Sequence, residues 1–342
     1  MQCGHHGMQN LNAFIYLYNL QLEIINFLHK NLRSGEFASI LRMGKAILLA
    51  ILLGSSQITL GQKILSKIDS IKSKKEVENL IHSLNERYKE FAITEKSLST
   101  QPFSKGDFDK NGLTDLLAIG GFPVYFIGSD TIKREFDDRI FVVMNFGKDS
   151  LKIKSLTKGM GHNHNLAFPK IVNDTIITIE QRNLIFKFGD FIELNPNPKN
   201  YEIEKIEYQT THCYGTCPVF SIEINKDKTG LFEASDYNSE TGISIVDLHR
   251  KKNNSKEIKG TFRAIIKDDS FSEIINLVNY MDFPTLKDNY SVNWTDDQTC
   301  ILKITYNNGQ TKEVRDYGLI GNYGLARLYQ LFFEMRFNQI WK

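Results

Sequence analysis

Residues 204–224 set the fold of the C-terminal part of the chain, and they read Glu-Lys-Ile-Glu-Tyr-Gln-Thr-Thr-His-Cys-Tyr-Gly-Thr-Cys-Pro-Val-Phe-Ser-Ile-Glu-Ile. On both sides of the Cys-Tyr-Gly-Thr-Cys-Pro segment, apolar and polar side chains alternate, which is typical of half-buried β-strands. Gly215 can take a positive φ without steric cost, and Pro218 fixes φ and lacks an amide donor. The sequence therefore predicts two strands joined by a tight turn, with Cys213 and Cys217 at the rim of a sheet.

The two cysteines of this turn can reach each other. Cys213 and Cys217 lie four residues apart, and across a turn their Cα atoms can approach to the roughly 4.4–6.8 Å that a bridge needs. Cys300 lies far downstream, and its alternation with Leu302 and Ile304 points it inward. We predict a Cys213–Cys217 disulfide and a buried Cys300 thiol, although the sequence leaves a bridge to Cys300 open.

The turn also carries a resemblance to a known family. Residues 213–220, together with Trp-Thr-Asp at residues 294–296, resemble an uncharacterised bacterial domain of unknown function, family 6438 of that series. The Cys-x-Gly-x-Cys-Pro core is the specific part of the match, which covers about residues 203–342. The resemblance implies an exported α+β domain and brings no activity or catalytic residue with it.

The N-terminal region has the layout of an export signal. Arg-Met-Gly-Lys at residues 42–45 precedes the apolar run 46–54, and small and polar residues follow to position 62. This run is shorter than the roughly 20 residues that a bilayer requires, so the pattern favours a cleaved signal peptide at residues 43–61 over a transmembrane helix. We expect an exported protein (periplasmic, at the cell surface or secreted) without a transmembrane anchor in the mature chain.

Residues 1–42 then form an upstream extension, either a translation artefact or a real additional segment, and the usual terminal position of a signal peptide favours the artefact. Cys3, His5 and His6 fall in this extension, so we discount them as metal ligands. The formal net charge of +2 over 342 residues provides no global field that would favour nucleic acid.

The rest of the chain divides into two parts. Between residues 63 and 91, apolar side chains recur at spacings of three and four, which predicts one amphipathic helix with a break allowed near Ser73. Strand-like segments from about residue 105 to 194 predict a mainly antiparallel β region. The Asn-Pro-Asn-Pro composition of residues 195–201 predicts a linker between domains at 62–194 and 202–342.

The loop Asp-Phe-Asp-Lys-Asn-Gly-Leu-Thr-Asp at residues 107–115 has the oxygen spacing of a calcium loop. Side chains of Asp107, Asp109, Asn111 and Asp115, with a backbone carbonyl at the seventh position, can converge on one Ca²⁺. The loop resembles the single calcium loops of integrin-type exported β-repeats. It departs from an EF-hand, because Ala118 stands where the bidentate glutamate is required. An Asn-Gly hairpin turn without metal explains the same residues equally well.

The C-terminal domain is predicted to be an antiparallel sheet with two helices, which makes the whole chain α+β. Further strands are expected at about residues 243–248, 257–265, 300–306 and 311–316. One helix would begin near Asp268 and Ser270, either of which can cap it, and the last helix would run from about residue 323 to 337.

Two classes of function remain open on the sequence. His212, Cys213 and Cys217 resemble the Cys-x-x-x-Cys-Pro copper site of thioredoxin-fold proteins, since thiolates and imidazole suit copper. In such folds the motif leads into a helix, whereas residues 219–224 continue as an alternating strand. We therefore favour a structural disulfide in a non-enzymatic binding or structural module with an unidentified envelope or extracellular ligand, and a thiol-redox or copper protein is the alternative.

Overall fold

The structure is a computed structural model that describes residues 66–93, 102–127, 132–148, 150–157, 169–239 and 257–342. Residues 65–342 form one compact unit. The predicted extension at 1–42, the signal peptide at 43–61 and the strand at 243–248 lie outside the described residues.

Two short helices replace the single helix predicted for residues 63–91. Helix α1 spans Lys67–Ser70 and helix α2 spans Lys74–Leu84, followed by a 3-10 turn at Glu86–Tyr88. The break lies at Ser73, whose hydroxyl accepts from the Glu76 amide while the Glu76 carboxylate accepts from the Ser73 amide. This reciprocal capping box satisfies the free donors of a new helix start, so the chain begins α2 there instead of continuing α1.

The first sheet packs against α2. It has five strands, with β1, β3, β4 and β5 in that order and β2 paired to β3. The apolar stripe of α2 lies against Phe91 and Phe141 in a buried cluster. The strands are β1 (Ala92–Ile93), β2 (Phe103–Gly106), β3 (Asp115–Ile127), β4 (Ile132–Asn145) and β5 (Leu151–Ser155).

A second sheet faces the first and completes a β-sandwich. Its strands β6 (Lys170–Val172), β7 (Ile176–Ile179), β8 (Arg182–Lys187) and β9 (Asp190–Glu193) follow one another as an antiparallel meander. Leu117 and Val142 from the first sheet bury against Leu184 and Phe191 from the second. Alternating apolar residues on both sheets therefore form the core between them.

The third sheet contains the strands read from residues 204–224. Its seven strands have the order β13-β12-β11-β10-β15-β16-β14, and each neighbouring pair is antiparallel except β14 with β16. The strands are β10 (Ile203–Thr210), β11 (Val219–Asn225), β12 (Thr229–Asp236), β13 (Gly260–Ile265), β14 (Asn289–Ser291), β15 (Thr299–Tyr306) and β16 (Gln310–Tyr317).

Helices α3 (Asp268–Tyr280) and α4 (Tyr323–Asn338) cover one face of the third sheet. The ring of Tyr208 on β10 stacks on Phe332 of α4 with centroids 4.6 Å apart. The predicted capping of α3 by Asp268 or Ser270 is wrong. Lys267 is the N-cap and makes no side-chain cap bond, and Asp268 lies in the first turn, where its charge favours the positive end of the helix dipole.

Helix α4 also contacts the β-sandwich. The Glu193 carboxylate at the end of β9 accepts from the amides of Tyr323 and Gly324 at 2.8 and 2.9 Å. The Tyr323 hydroxyl donates to the carbonyl of Leu156 at 2.8 Å. Arg327, one turn further along α4, donates from Nε to the carbonyl of Phe188 at 2.7 Å. The same helix thus belongs to the cores of the sandwich and of the third sheet.

Residues 195–201 run along the end of α3. The Asn195 side chain donates to the carbonyl of Tyr280 at 2.6 Å, and the amide of Tyr201 donates to Asn279 Oδ1 at 3.0 Å. A domain boundary at this segment stays a prediction.

The predicted α+β class is confirmed, since antiparallel sheets dominate and helices are few. Among the described residues, no helix combines the length and the apolar character needed to cross a membrane.

The buried carboxyl group of Asp316 on β16 makes the free energy of unfolding depend on pH. Its side chain is buried, and desolvation raises its pKa from 3.8 to about 6. The groups around it include the Tyr329 hydroxyl, the Ile320 amide, Cys300, Tyr208 and Asp297. Between these two pKa values the folded state holds more protons than the unfolded state, so rising pH lowers the free energy of unfolding.

We predict that Asp316→Asn removes this response. Between about pH 4 and about pH 7, the wild type should lose up to about 3 kcal/mol more unfolding free energy than the variant. Urea titrations at both pH values measure the difference, and Asp269→Asn, at an exposed position, is the control that should behave as the wild type. Equal pH slopes for Asp316→Asn and the wild type would contradict the prediction.

Candidate functional site

The loop of residues 211–218 connects β10 to β11 and holds the two predicted cysteines together. The Sγ atoms of Cys213 and Cys217 lie 1.95 Å apart, at disulfide distance, and their Cα atoms lie 5.8 Å apart. Cys300 is buried at the start of β15, and burial raises the pKa of its thiol. The short bridge closes the turn between two paired strands.

A second loop, residues 292–298, holds the cysteine loop from the side. The amide of Tyr214 donates to the carbonyl of Asp296 at 3.1 Å. The buried side-chain amide of Gln298 donates to the carbonyls of Thr211 and Pro218, both at 2.7 Å. One glutamine therefore binds both ends of the cysteine loop.

A third loop, residues 236–239, is held by contacts with the protein core. The fully buried Asn238 donates to the carbonyl of Val219 at 2.8 Å and accepts from Arg336 Nη1 at 3.1 Å. The guanidinium of Arg336 lies in the core against the rings of Phe220, Phe333 and Phe337, with centroid distances of 4.8 to 4.9 Å. Contacts of this cation–π type contribute more when they are removed from water.

These three loops lie at one end of the third sheet, and we call residues 211–218, 236–239 and 292–298 the disulfide end. Tyr237 and Asp296 have φ values of +57° and +67°, a left-handed conformation that costs energy for residues other than glycine. The Tyr237 amide donates to Glu257 Oε1 at 2.5 Å, and the Asp296 carbonyl accepts from the Tyr214 amide. These contacts, with the buried Gln298 and Asn238, hold the backbone of the disulfide end.

The exposed side chains of the disulfide end are aromatic and polar. Tyr214 is 90% exposed and Tyr237 is 44% exposed. His212 Nε2 lies 3.1 Å from Asp236 Oδ2, and Lys259 Nζ lies 2.8 Å from the other oxygen of that carboxylate. Hydrogen bonds from Lys259 and His212 lower the pKa of Asp236. This surface can stack on a ligand and form hydrogen bonds with it.

Trp294 lies half-buried beside these residues, and its indole donates to Asp297 Oδ2 at 2.8 Å. The sequence pointed to the cysteine loop and to Trp294, and it did not indicate residues 236–239. No local pattern marks Asn238 as an anchor, because its partners Val219 and Arg336 are far away in the chain.

The predicted calcium loop connects β2 to β3. The Asp107 carboxylate accepts from the amides of Asn111 and Gly112 at 3.0 and 2.9 Å, and Gly112 has φ of +82°. The side-chain oxygen of Asn111 accepts from the Leu113 amide at 2.8 Å, and its Nδ2 donates to Asp109 Oδ2 at 3.0 Å. These bonds fold the loop around its carboxylates.

The structure brings the three predicted carboxylates together. One oxygen from each of Asp107, Asp109 and Asp115 lies within 4.8 Å of the others. Asp115 is buried and accepts from the amides of Phe108 and Asn145 at 2.8 and 2.7 Å, and desolvation raises its pKa to about 6. Each carboxylate oxygen can accept more than one contact, so the set fits the oxygen ligands of Ca²⁺.

Comparison with known protein families gives a match in the C-terminal part of the chain. Residues 204–336 match the model of a family described as a domain of unknown function (DUF6438). No curated protein and no solved structure shows significant similarity to the chain. The matched range extends from β10 to the last turns of α4 and contains every loop of the disulfide end.

We predict that the Cys213→Ser/Cys217→Ser double variant folds but unfolds more easily. Closing a loop of about five residues restricts the unfolded chain, so the free energy of unfolding should fall by about 2 kcal/mol. Denaturant titration of the variant and of the wild type, each with and without dithiothreitol, measures this loss. Reductant should lower the stability of the wild type to that of the variant and leave the variant unchanged.

Peptide mapping of the unreduced wild type provides the direct check on the pairing. Cross-linked peptides that contain Cys300, or two free thiols at Cys213 and Cys217, would contradict the assignment.

Proposed function

We propose that this protein, in which residues 204–336 form a DUF6438 domain, is exported and acts as a non-enzymatic binding module of the cell envelope or secreted space. The disulfide end is the surface that contacts its ligand. The observation that carries the proposal is that Tyr214, 90% exposed, shares the disulfide end with Tyr237 and Trp294, on loops that buried hydrogen bonds hold in place.

One exposed tyrosine is common on protein surfaces and carries no argument alone. Here Tyr214, Tyr237 and Trp294 are carried by three different loops that meet at one end of the sheet, and Gln298 and Asn238 fix two of these loops through buried hydrogen bonds. A binding surface that is ordered before its ligand arrives loses little entropy on binding. Tyrosine and tryptophan are also the residues that most often dominate binding energies.

Export is supported by the signal-like layout of residues 43–61 and by the disulfide distance between Cys213 and Cys217. Disulfides form and persist in oxidising compartments. A paired and half-buried disulfide also suits a structural role, because it restricts the loop that presents Tyr214.

The alternative is a thiol-redox or copper protein that uses Cys213 and Cys217. Copper binding or thiol exchange requires thiolates that are accessible to metal or substrate. Cys217 is only 7% exposed, and the Nε2 atom of His212 faces Asp236, so the geometry favours the binding module. Thiol titration of the exported protein separates the two functions, because a redox or copper site yields reactive thiols at the turn.

The binding function is tested with the exported protein and isolated bacterial cell envelopes as the probe. N-terminal sequencing of the exported chain should find a start near residue 62, and a mature chain that retains residues 1–42 would contradict the export signal. In co-sedimentation with the envelopes, Tyr214→Ala should weaken binding by about tenfold.

Phe146→Ala is the matched control, because Phe146 is an exposed aromatic residue (39%) outside the disulfide end. It should bind as the wild type does. Equal binding by Tyr214→Ala and the wild type, or no sedimentation of the wild type with envelopes, would contradict the proposed surface.

Calcium binding at residues 107–115 is a second proposal, and the convergence of the three carboxylates supports it. The loop joins β2 to β3 and its Thr114 hydroxyl donates to Asp69 of α1 at 2.6 Å. A bound Ca²⁺ would therefore brace α1 against the first sheet, a structural role that suits an exported module.

We predict weak binding, with a dissociation constant of about 10⁻⁴ to 10⁻³ M as extracellular modules show. A concentration ten times above this constant should raise the free energy of unfolding by about 1.4 kcal/mol, because Ca²⁺ binds the folded state. Thermal unfolding with and without Ca²⁺ measures the shift, which Asp109→Asn should abolish and which Asp227→Asn, in an exposed turn, should retain. An unchanged transition at about 10 mM Ca²⁺ would show that the loop is only a turn.

A further inference from the structure

Four polar side chains meet inside the core between the third sheet and α4. Tyr208 comes from β10, Cys300 from β15, Asp316 from β16 and Tyr329 from α4, and each is at most 1% exposed. Cys300 and Asp316 are direct cross-strand partners. Cys300 also pairs with Thr210, two residues from Tyr208 on the same face of β10. We call these four side chains the polar cluster.

The polar cluster contains buried donor and acceptor atoms that lack a hydrogen-bond partner within the described part of the protein. The hydroxyls of Tyr208 and Tyr329 and both carboxylate oxygens of Asp316 are buried and have no hydrogen-bond partner among the described residues. Such atoms are rare in folded proteins, because burial removes their water without replacing it. Ordered internal water is the usual partner of buried polar groups that no protein atom satisfies.

The members of the cluster lie close together without direct bonds. Desolvation raises the pKa of both Asp316 and Cys300, the nearby Tyr329 hydroxyl offsets part of the rise at Asp316, and the Asp316 carboxylate adds to the rise at Cys300. The Tyr329–Asp316 pair nevertheless does not meet the geometry of a direct hydrogen bond. Polar groups that lie near each other but beyond direct hydrogen-bond distance are commonly bridged by water.

The four side chains together offer both donors and acceptors to a small polar molecule. The tyrosine hydroxyls and the thiol can donate, and the Asp316 carboxylate accepts. Space beside this carboxylate is narrow, since a Cβ added at Gly321 would lie 2.8 Å from Asp316 Oδ2. Any molecule that bridges the cluster beside this carboxylate must therefore be small.

We propose that Tyr208, Cys300, Asp316 and Tyr329 form an internal hydration site, in which ordered water bridges the Asp316 carboxylate to the hydroxyls of Tyr208 and Tyr329. The water links strands β10 and β16 to α4 inside the core. This site is separate from the disulfide end, so it does not depend on the proposed function.

A crystal structure of the wild-type chain at high resolution tests the proposal. We expect water density within about 2.6–3.2 Å of an Asp316 oxygen and of a tyrosine hydroxyl in the cluster. Direct hydrogen bonds among the four side chains, with no water between them, would overturn the proposal.

Tyr329→Phe gives a second, independent test, because it removes the hydroxyl and keeps the ring that stacks beside Tyr208 at 5.6 Å. The variant should lose or displace the bridging water and melt at a lower temperature. Tyr237→Phe is the control, because it removes a hydroxyl at a partly exposed position. Its melting temperature should equal that of the wild type. If Tyr329→Phe crystals retain the water unchanged, Tyr329 is not one of its ligands and the proposed bridge is wrong.

Discussion

The carboxylate of Glu193 at the N-terminus of α4 is the interaction on which the arrangement of the described chain depends. A helix starts with amides that have no partner inside the helix, and its first turn carries partial positive charge. Glu193 satisfies two of these amides with one charged group. Glu193 ends the last strand of the β-sandwich, whereas α4 covers the third sheet, so this bidentate contact joins the helix of one part to the strand of the other, beside the contacts of Tyr323 and Arg327.

At the disulfide end, too, one side chain makes two contacts that determine the arrangement. The bridge between Cys213 and Cys217 closes only a short loop and cannot orient that loop relative to its neighbours. Gln298 supplies the orientation, because its two amide hydrogens are directed to carbonyls before and after the cysteines. The covalent bond limits how far the loop can open, and the buried hydrogen bonds determine where it lies.

Local patterns in the sequence predicted those parts of the fold that depend on neighbouring residues. Alternation on both sides of residues 211–218 identified β10 and β11, and spacing along residues 107–115 identified carboxylates that do converge. The cap of α3 could not be found this way. Asp268 and Ser270 are good capping residues, but the helix starts one residue earlier, where the Lys267 amide donates to Gln339 from beyond α4.

Residues 195–201 show the same limit. Their asparagines and prolines are typical of a linker, yet the hydrogen bonds of Asn195 and Tyr201 go to the end of α3, about 80 residues later. Composition describes how a segment behaves by itself and contains no information on distant partners. The anchoring roles of Asn238 and Gln298 were missed for this reason.

The position of the loop at residues 236–239 depends on the buried Asn238 and Arg336 and not on the loop's exposed side chains. The buried amide and guanidinium hold the backbone of residues 236–239 from the interior, so the outward-facing side chains contribute little to its shape. Gln298 does the same for the loop that carries Tyr214. Exchanges at the exposed positions can therefore change the chemistry of this surface while the backbone beneath it stays in place, so this end of the sheet can accept different side chains without loss of the fold.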